Sequence, residues 1–191
     1  MNTIELIDRL EQDKSLQKEE WIHVIEDDSE ENRKYAAEKA RALGDAYYGK
    51  EIFVRGLIEF TNYCKNDCYY CGIRCSNKKA NRYRLSEEDI LACCEEGDRL
   101  GFRTFVLQGG EDPYYTDDKI VDIVREIKRR YPEHAVTLSI GERERESYER
   151  FFAAGADRYL LRHETANDTH YRKLHPESMS LSLSLIHISE P

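Results

Sequence analysis

A chain of 191 residues, 40% hydrophobic and 35% charged, has material for one domain of ordinary size or for a piece of a larger one. Acidic residues outnumber basic ones, 38 to 29, and the net charge of −9 argues against non-specific nucleic-acid binding, which depends on a basic surface. No apolar run approaches the roughly 18 residues of a membrane span, and the acidic, helix-patterned start MNTIELIDRLEQDK is neither a signal nor a transit peptide. The expected location is the cytoplasm.

Residues 1–48 read as a helical extension. Ile4, Ile7 and Leu10 recur every three positions, Ser15 is placed to cap a helix through Trp21, Ile22 and Ile25, and Ser29 to cap a longer one. That third helix carries Tyr35, Ala36, Leu43 and Tyr47 and ends between Gly44 and Gly49. The acidic run from Glu26 to Glu31 reads as a solvated turn between helices.

From residue 49 the rhythm changes. EIFVRGLIEF (51–60) is rich in β-branched and aromatic residues and predicts a strand. Ser86 and Asp89 form a capping box for a helix that should bury Ile90, Cys93, Cys94 and Leu100 and stop at Gly101. RTFVLQGGE (103–111) predicts a second strand, and Thr116 a cap for DDKIVDIVREIKRR, whose Ile120, Ile123, Val124 and Ile127 follow helical spacing. A third strand is expected at AVTLSIGE (135–142), then a helix holding Tyr148, Phe151 and Phe152 up to Gly155. DRYLLRHE (157–164) predicts a fourth strand and NDTHYRKLH (167–175) a further helix.

Strand and helix in alternation, with short connections, imply an α/β fold with parallel strands. An open doubly wound sheet and a (βα) barrel both fit. Polar groups cluster just after four successive strands: Cys64 to Cys71, Gly109 to Glu111, Ser139 to Glu142, and Arg162 to Glu164. Such ends converge on one face in a barrel and spread along an edge in an open sheet, so a TIM-type barrel is the expectation. About four βα units are too few to close one. Residues 49–180 are therefore expected to form an incomplete barrel, truncated after its fourth unit. Residues 181–191 are expected to be a non-native tail, since LSLIHISEP is similar to the translation of a sequencing-library adaptor.

NYCKNDCYYCGIRC (62–75) holds four of the six cysteines. In a reducing compartment such a cluster more often binds metal or works in redox chemistry than forms disulfides. The spacing of Cys64, Cys68 and Cys71 is C-x3-C-x2-C, and three thiolates so placed can each take one iron of a [4Fe–4S] cube. A closed zinc site would need a fourth ligand, a part open to Cys75. Cys93 and Cys94 read as small buried hydrophobes within a helix.

These cysteines, with Tyr70 just before the last, resemble the signature of the radical S-adenosylmethionine superfamily. RGLIEFTNYCKNDCYYCGIR, VLQGGEDPYY, VTLSIGE and ADRYLLRHETAN are together similar to its hydrogenase-maturation branch over about Arg55 to Pro176. The resemblance implies a radical-SAM barrel that holds a [4Fe–4S] cluster on Cys64, Cys68 and Cys71. The open iron would take S-adenosylmethionine, whose reductive cleavage yields a 5′-deoxyadenosyl radical. It further implies cofactor contacts from Tyr70, Gln108, Gly109, Gly110, Glu111, Ser139, Arg162 and Glu164. Glu111 would accept from the ammonium and Arg162 would clamp a carboxylate with its planar fork. The implied activity is assembly of the [FeFe]-hydrogenase active-site cofactor, acting on a small molecule such as an iron-bound cysteine complex. An electron donor and other maturases are the implied partners. The alternatives are a methylornithine synthase-like or biotin synthase-like member of the superfamily and, outside catalysis, a zinc-stabilised binding module.

Several of these residues also have plainer readings. Ser139 could bond only the strand backbone, Arg162 and Glu164 could form a structural ion pair, and Gly109-Gly110-Glu111 could be an ordinary turn. His163 alternates with the two charged residues and is expected to face the helix layer.

Overall fold

A computed structural model describes residues 2–162 and 164–182. His163, and all but Leu181 and Ser182 of the expected tail, lie outside the described residues. The chain divides into two compact units, one running to Phe53 and the other from Val54 onward.

The first unit is three helices, α1 (Thr3–Asp13), α2 (Lys18–Glu26) and α3 (Glu30–Tyr48). A capping box starts α1: Asn2 accepts from the Glu5 amide at 2.9 Å, and the Glu5 carboxylate accepts from the Asn2 amide at 3.0 Å. Leu6, Ile7 and Leu16 are buried. The rest is held by polar contacts: Arg9 pairs with Glu20, the Tyr35 hydroxyl donates to Asp8 at 2.6 Å, and Lys39 bridges Asp8 and Glu11 at 3.0 and 2.8 Å. Gln17, not the expected Ser15, stands at the α2 cap, and its neighbour Leu16 is buried instead. Ser29 caps α3 as expected. Trp21, Ile22, Ile25 and Tyr47 are exposed.

The second unit runs β1 (Gly56–Thr61), α4 (Glu87–Arg99), β2 (Thr104–Gly109), α5 (Asp117–Arg130), β3 (Ala135–Ser139), α6 (Arg145–Ala154), β4 (Arg158–Tyr159) and α7 (Asp168–Leu174). Among the described residues the strands β1 to β4 pair in parallel, in the order β1-β2-β3-β4. Order in space follows order in sequence, with no reversal. That is an arc of barrel wall, whereas a doubly wound sheet reverses direction at its switch point.

Side chains alternate across the sheet. On one face Ile58 and Phe60, Phe105 and Leu107, and Val136 and Leu138 are buried against Ile90 and Cys94 of α4, Ile120, Val124 and Ile127 of α5, and Phe151 of α6. The register places Ile58 beside Leu107 and Leu107 beside Leu138, so these rows run straight across the strands. The opposite face carries Glu59, Gln108 and Ser139 in one row and Leu57, Val106 and Thr137 in the next.

Four local expectations need correction. Residues 51–55 are not strand: Ile52, Phe53 and Val54 are exposed and β1 begins only at Gly56, where pairing with Phe105 starts. Cys93 and Leu100 lie on the solvent side of α4, and Leu91 and Gly97 are buried there in their place. Phe152 is 78% exposed, because only Phe151 on α6 faces the core. The fourth strand shrinks to Arg158–Tyr159, an edge paired with β3 alone. The Ser86–Asp89 capping box is present in full.

Candidate functional site

The segment between β1 and α4 is a long loop without regular structure, and its shape comes from specific hydrogen bonds. The Cys71 amide donates to the Cys68 carbonyl at 3.0 Å and the Cys75 amide to Asn66 at 2.9 Å, which turns the chain back on itself. The Arg82 guanidinium donates to the carbonyls of Ile73 (2.8 Å), Arg74 (2.7 Å), Asn77 (3.2 Å) and Asn62. A planar group with five N–H donors can serve several carbonyls at once, as lysine could not. The middle of the loop is tied to α7 through the Tyr69 amide and the Leu174 carbonyl at 2.8 Å.

This fold brings Cys64, Cys68 and Cys71 to the wall of one cavity of about 260 Å³. Tyr70, Gln108, Gly109, Gly110, Glu111, Ser139, Arg162 and Glu164 line the same cavity. Contributions thus come from the C-terminal ends of β1, β2 and β3 and the segment after β4, the side of a βα unit on which barrel enzymes build their sites. All six cysteines are free thiols. Cys75 and Cys93 are exposed and Cys94 is buried in the core, while the three loop cysteines are half-buried.

Glu111 is already engaged. Its carboxylate accepts from Asn66 Nδ2 at 2.9 Å and from the Glu142 amide at 3.4 Å, and pairs with Lys65 Nζ at 3.1 Å. Two glycines make room for this packing. A Cβ on Gly110 would stand 2.2 Å from the Tyr63 carbonyl oxygen and 2.8 Å from Cys64 Cβ; one on Gly141 would stand 2.0 Å from Glu111 Cγ. Both lie under the 3.0 Å that Cβ contacts require. Gly141 also holds φ at +81°, a conformation that favours glycine.

Across the sheet, Gln108 donates to Glu59 Oε1 at 3.0 Å and accepts from Arg162 Nη2 at 2.7 Å. Arg162 therefore reaches sideways along the strand ends to an amide. Ser139 is buried beside this row. The Tyr70 ring meets His175 edge-on at 5.5 Å, and His175 in turn stacks on Tyr171 at 4.0 Å. Burial first, then the charges of Cys68 and Glu164, push the Tyr70 hydroxyl well above its ordinary value.

Burial raises the Cys64 thiol, and it pushes Cys68 up to about 11, with Cys64 and Cys71 adding to the effect. Thiols held protonated in this way give up protons when a metal takes them as thiolates. The donor set suits a group that takes one thiolate on each of three irons. A tetrahedral zinc ion would need a fourth ligand; Cys75 stands outside the cavity wall, and His175 and Glu164 are among the other donors on it.

Sequence reasoning missed Lys65 and Asn66, which hold Glu111; Arg82, which shapes the loop; and Tyr171 and His175, which close the cavity from α7. The i, i+4 spacing of Tyr171 and His175 was the visible signal for the last pair.

Residues 58–184 match the model of the Radical SAM superfamily, and the chain belongs to that superfamily. Its members use a [4Fe–4S] cluster and S-adenosylmethionine. The chain is 52% identical over 132 residues to the [FeFe] hydrogenase maturase subunit HydE of Thermotoga maritima, covering 69% of this chain and 37% of that protein. It is 34% identical over 149 residues to the 3-methylornithine synthase of Methanosarcina acetivorans, covering 77% of this chain and 42% of that protein. The crystal structure of HydG, a maturase of the [FeFe]-hydrogenase, superimposes with a TM-score of 0.85 at 25% identity, over 97% of this chain and 42% of that one. The chain thus spans about two fifths of the length of these relatives. Such neighbours support the reading of the sheet as part of a TIM-type barrel.

Proposed function

We propose that this chain carries the radical-generating part of an enzyme that assembles the [FeFe]-hydrogenase active-site cofactor. The observation that carries the reading is the single cavity shared by three half-buried thiols and by polar groups following four successive strands. In it Cys64, Cys68 and Cys71 would hold a [4Fe–4S] cluster, which when bound would supply the electron for cleavage of S-adenosylmethionine. Glu111, its carboxylate oriented by Asn66 Nδ2, would receive the cofactor's ammonium in the place that the exposed Lys65 Nζ takes here. Arg162, held by Gln108, offers its guanidinium to a carboxylate, and Glu164, Ser139 and Tyr70 shape the remaining wall. The protein's task is to orient the cofactor and keep water away from it.

The substrate is a small molecule, with an iron-bound cysteine complex as the leading candidate, and an electron donor and other maturases are the partners. The higher identity to HydE than to methylornithine synthase, 52% against 34%, favours this activity over the mutase one. Among the described residues no helix is long and apolar enough to cross a membrane, and clustered free thiols suit a reducing cytoplasm.

Anaerobic reconstitution with iron and sulfide tests the reading. The expected result is a reduced-cluster EPR signal that changes when S-adenosylmethionine is added, lost in Cys68→Ala and kept in Cys93→Ala. A folded, colourless protein carrying stoichiometric zinc and indifferent to iron would overturn it.

A further inference from the structure

Asp112 follows Glu111 directly, and its side chain is only 1% exposed. A buried carboxylate is costly unless its oxygens are paired, and here four donors satisfy it. Oδ2 accepts from Thr61 Oγ1 at 2.7 Å and from Arg84 Nε at 2.6 Å; Oδ1 accepts from Arg84 Nη2 at 2.9 Å and from the Tyr114 amide at 3.0 Å.

The origin of these donors matters more than their number. Thr61 is the last residue before the cysteine loop and Arg84 stands where the loop returns, bridged to Thr61 across an antiparallel pair. Both ends of the loop therefore meet on one carboxylate, one residue past Glu111. Arg84 also lies over the Tyr63 ring at 3.8 Å and near that of Tyr114 at 4.9 Å, so it presses on the residue before Cys64. Gly110 leaves no slack on the other side, since its backbone packs against Tyr63 and Cys64 with no room for a Cβ.

From this geometry we infer that Asp112 and Arg84 are positioning residues that set where Cys64 stands relative to Glu111. The inference rests on the reading of the cavity as a cluster and S-adenosylmethionine site. Neither side chain lines that cavity as described; they act through the loop ends they join. The cofactor would span from cluster iron to Glu111, and displacements of about 1 Å in such a span are expected to cost binding and rate heavily. An asparagine at position 112 keeps the shape but turns one acceptor oxygen into an NH2 donor facing donors, which loosens the joint without touching a thiol.

The test uses the whole chain as wild type, Asp112→Asn and Arg84→Lys, each reconstituted with iron and sulfide, reduced, and titrated with S-adenosylmethionine under EPR. Both variants should keep the cluster, because all three thiols remain. The cofactor concentration giving half the spectral change should rise on the order of 10- to 100-fold in Asp112→Asn. It should rise less in Arg84→Lys, which keeps the charge and loses the fork. A purely structural role would lower melting temperature and cluster content together and leave the half-saturation point of the remaining clusters at the wild-type value, which would overturn the inference. Should Asp112→Asn fail to fold, Arg84→Lys, at a side chain 35% exposed, carries the same comparison. A wild-type cluster that ignores S-adenosylmethionine would instead overturn the reading of the site itself.

Discussion

The two faces of the parallel sheet share the same strands and the same register, yet they have opposite characters. On the helix-covered face Phe105, Leu107, Val136 and Leu138 are fully buried. On the other, Leu57 is 56% exposed, Glu59 is exposed, and Gln108 and Arg162 bond each other along an open row. Period-two alternation separates dry packing from polar chemistry within single strands, so Ile58 and Glu59, adjacent in sequence, serve different ends. Apolar packing belongs to the first face, while the second carries polar groups, exposed at Glu59 and Arg162 and buried at Thr137 and Ser139.

Truncation across the two faces gives the largest contrast. Leu138→Ala should cost about 2–5 kcal/mol in urea denaturation, whereas Leu57→Ala should stay within about 0.5 kcal/mol. Equal losses would mean that the open face is covered in solution and that the contrast is false. A smaller effect is expected at the rim, where the faces meet. Burial would raise the Asp112 carboxyl, but the bonds from Arg84, Thr61 and the Tyr114 amide outweigh it and hold the group below its ordinary value. A depressed carboxyl contributes stability that is fully present above its unfolded value, about 3.9, and is lost as pH falls through the folded one. The loss is about 1.4 kcal/mol for each unit of depression. The acid limb of the stability profile should therefore flatten in Asp112→Asn, and parallel limbs would refute the assignment. The smallest change is expected at the mouth of the cavity. Lys65 is 59% exposed, so Lys65→Met should shift stability by less than about 1 kcal/mol, and by nothing measurable at high salt.

The same division explains what could be read from the sequence. Capping boxes and helical spacing are local, so α4 and α5 were legible, and the C-x3-C-x2-C loop was legible because its cysteine spacing is local as well. All eleven strand-end and cysteine residues singled out for the site lie on one cavity wall. Residues 51–55 misled because β-branched and aromatic composition looks the same in a strand and in an unpaired segment; pairing, which composition does not report, begins at Gly56. Phe152 and Cys93 misled because an adjacent pair, Phe151-Phe152 or Cys93-Cys94, does not say which member faces inward. The Thr61–Asp112–Arg84 joint was illegible for a different reason: its partners lie 51 and 28 residues apart, and each alone looks like an ordinary surface residue.

The hydrogen bond from the Tyr69 amide to the Leu174 carbonyl has a consequence in time. The cysteine loop is among the first parts of this unit to be synthesised, but one of its fastenings lies at the far end of α7. Because domains assemble as the chain emerges and distant contacts must close long loops before they help, the loop takes its final shape late. The three thiols of the loop are then set in place only after residue 174 has been made.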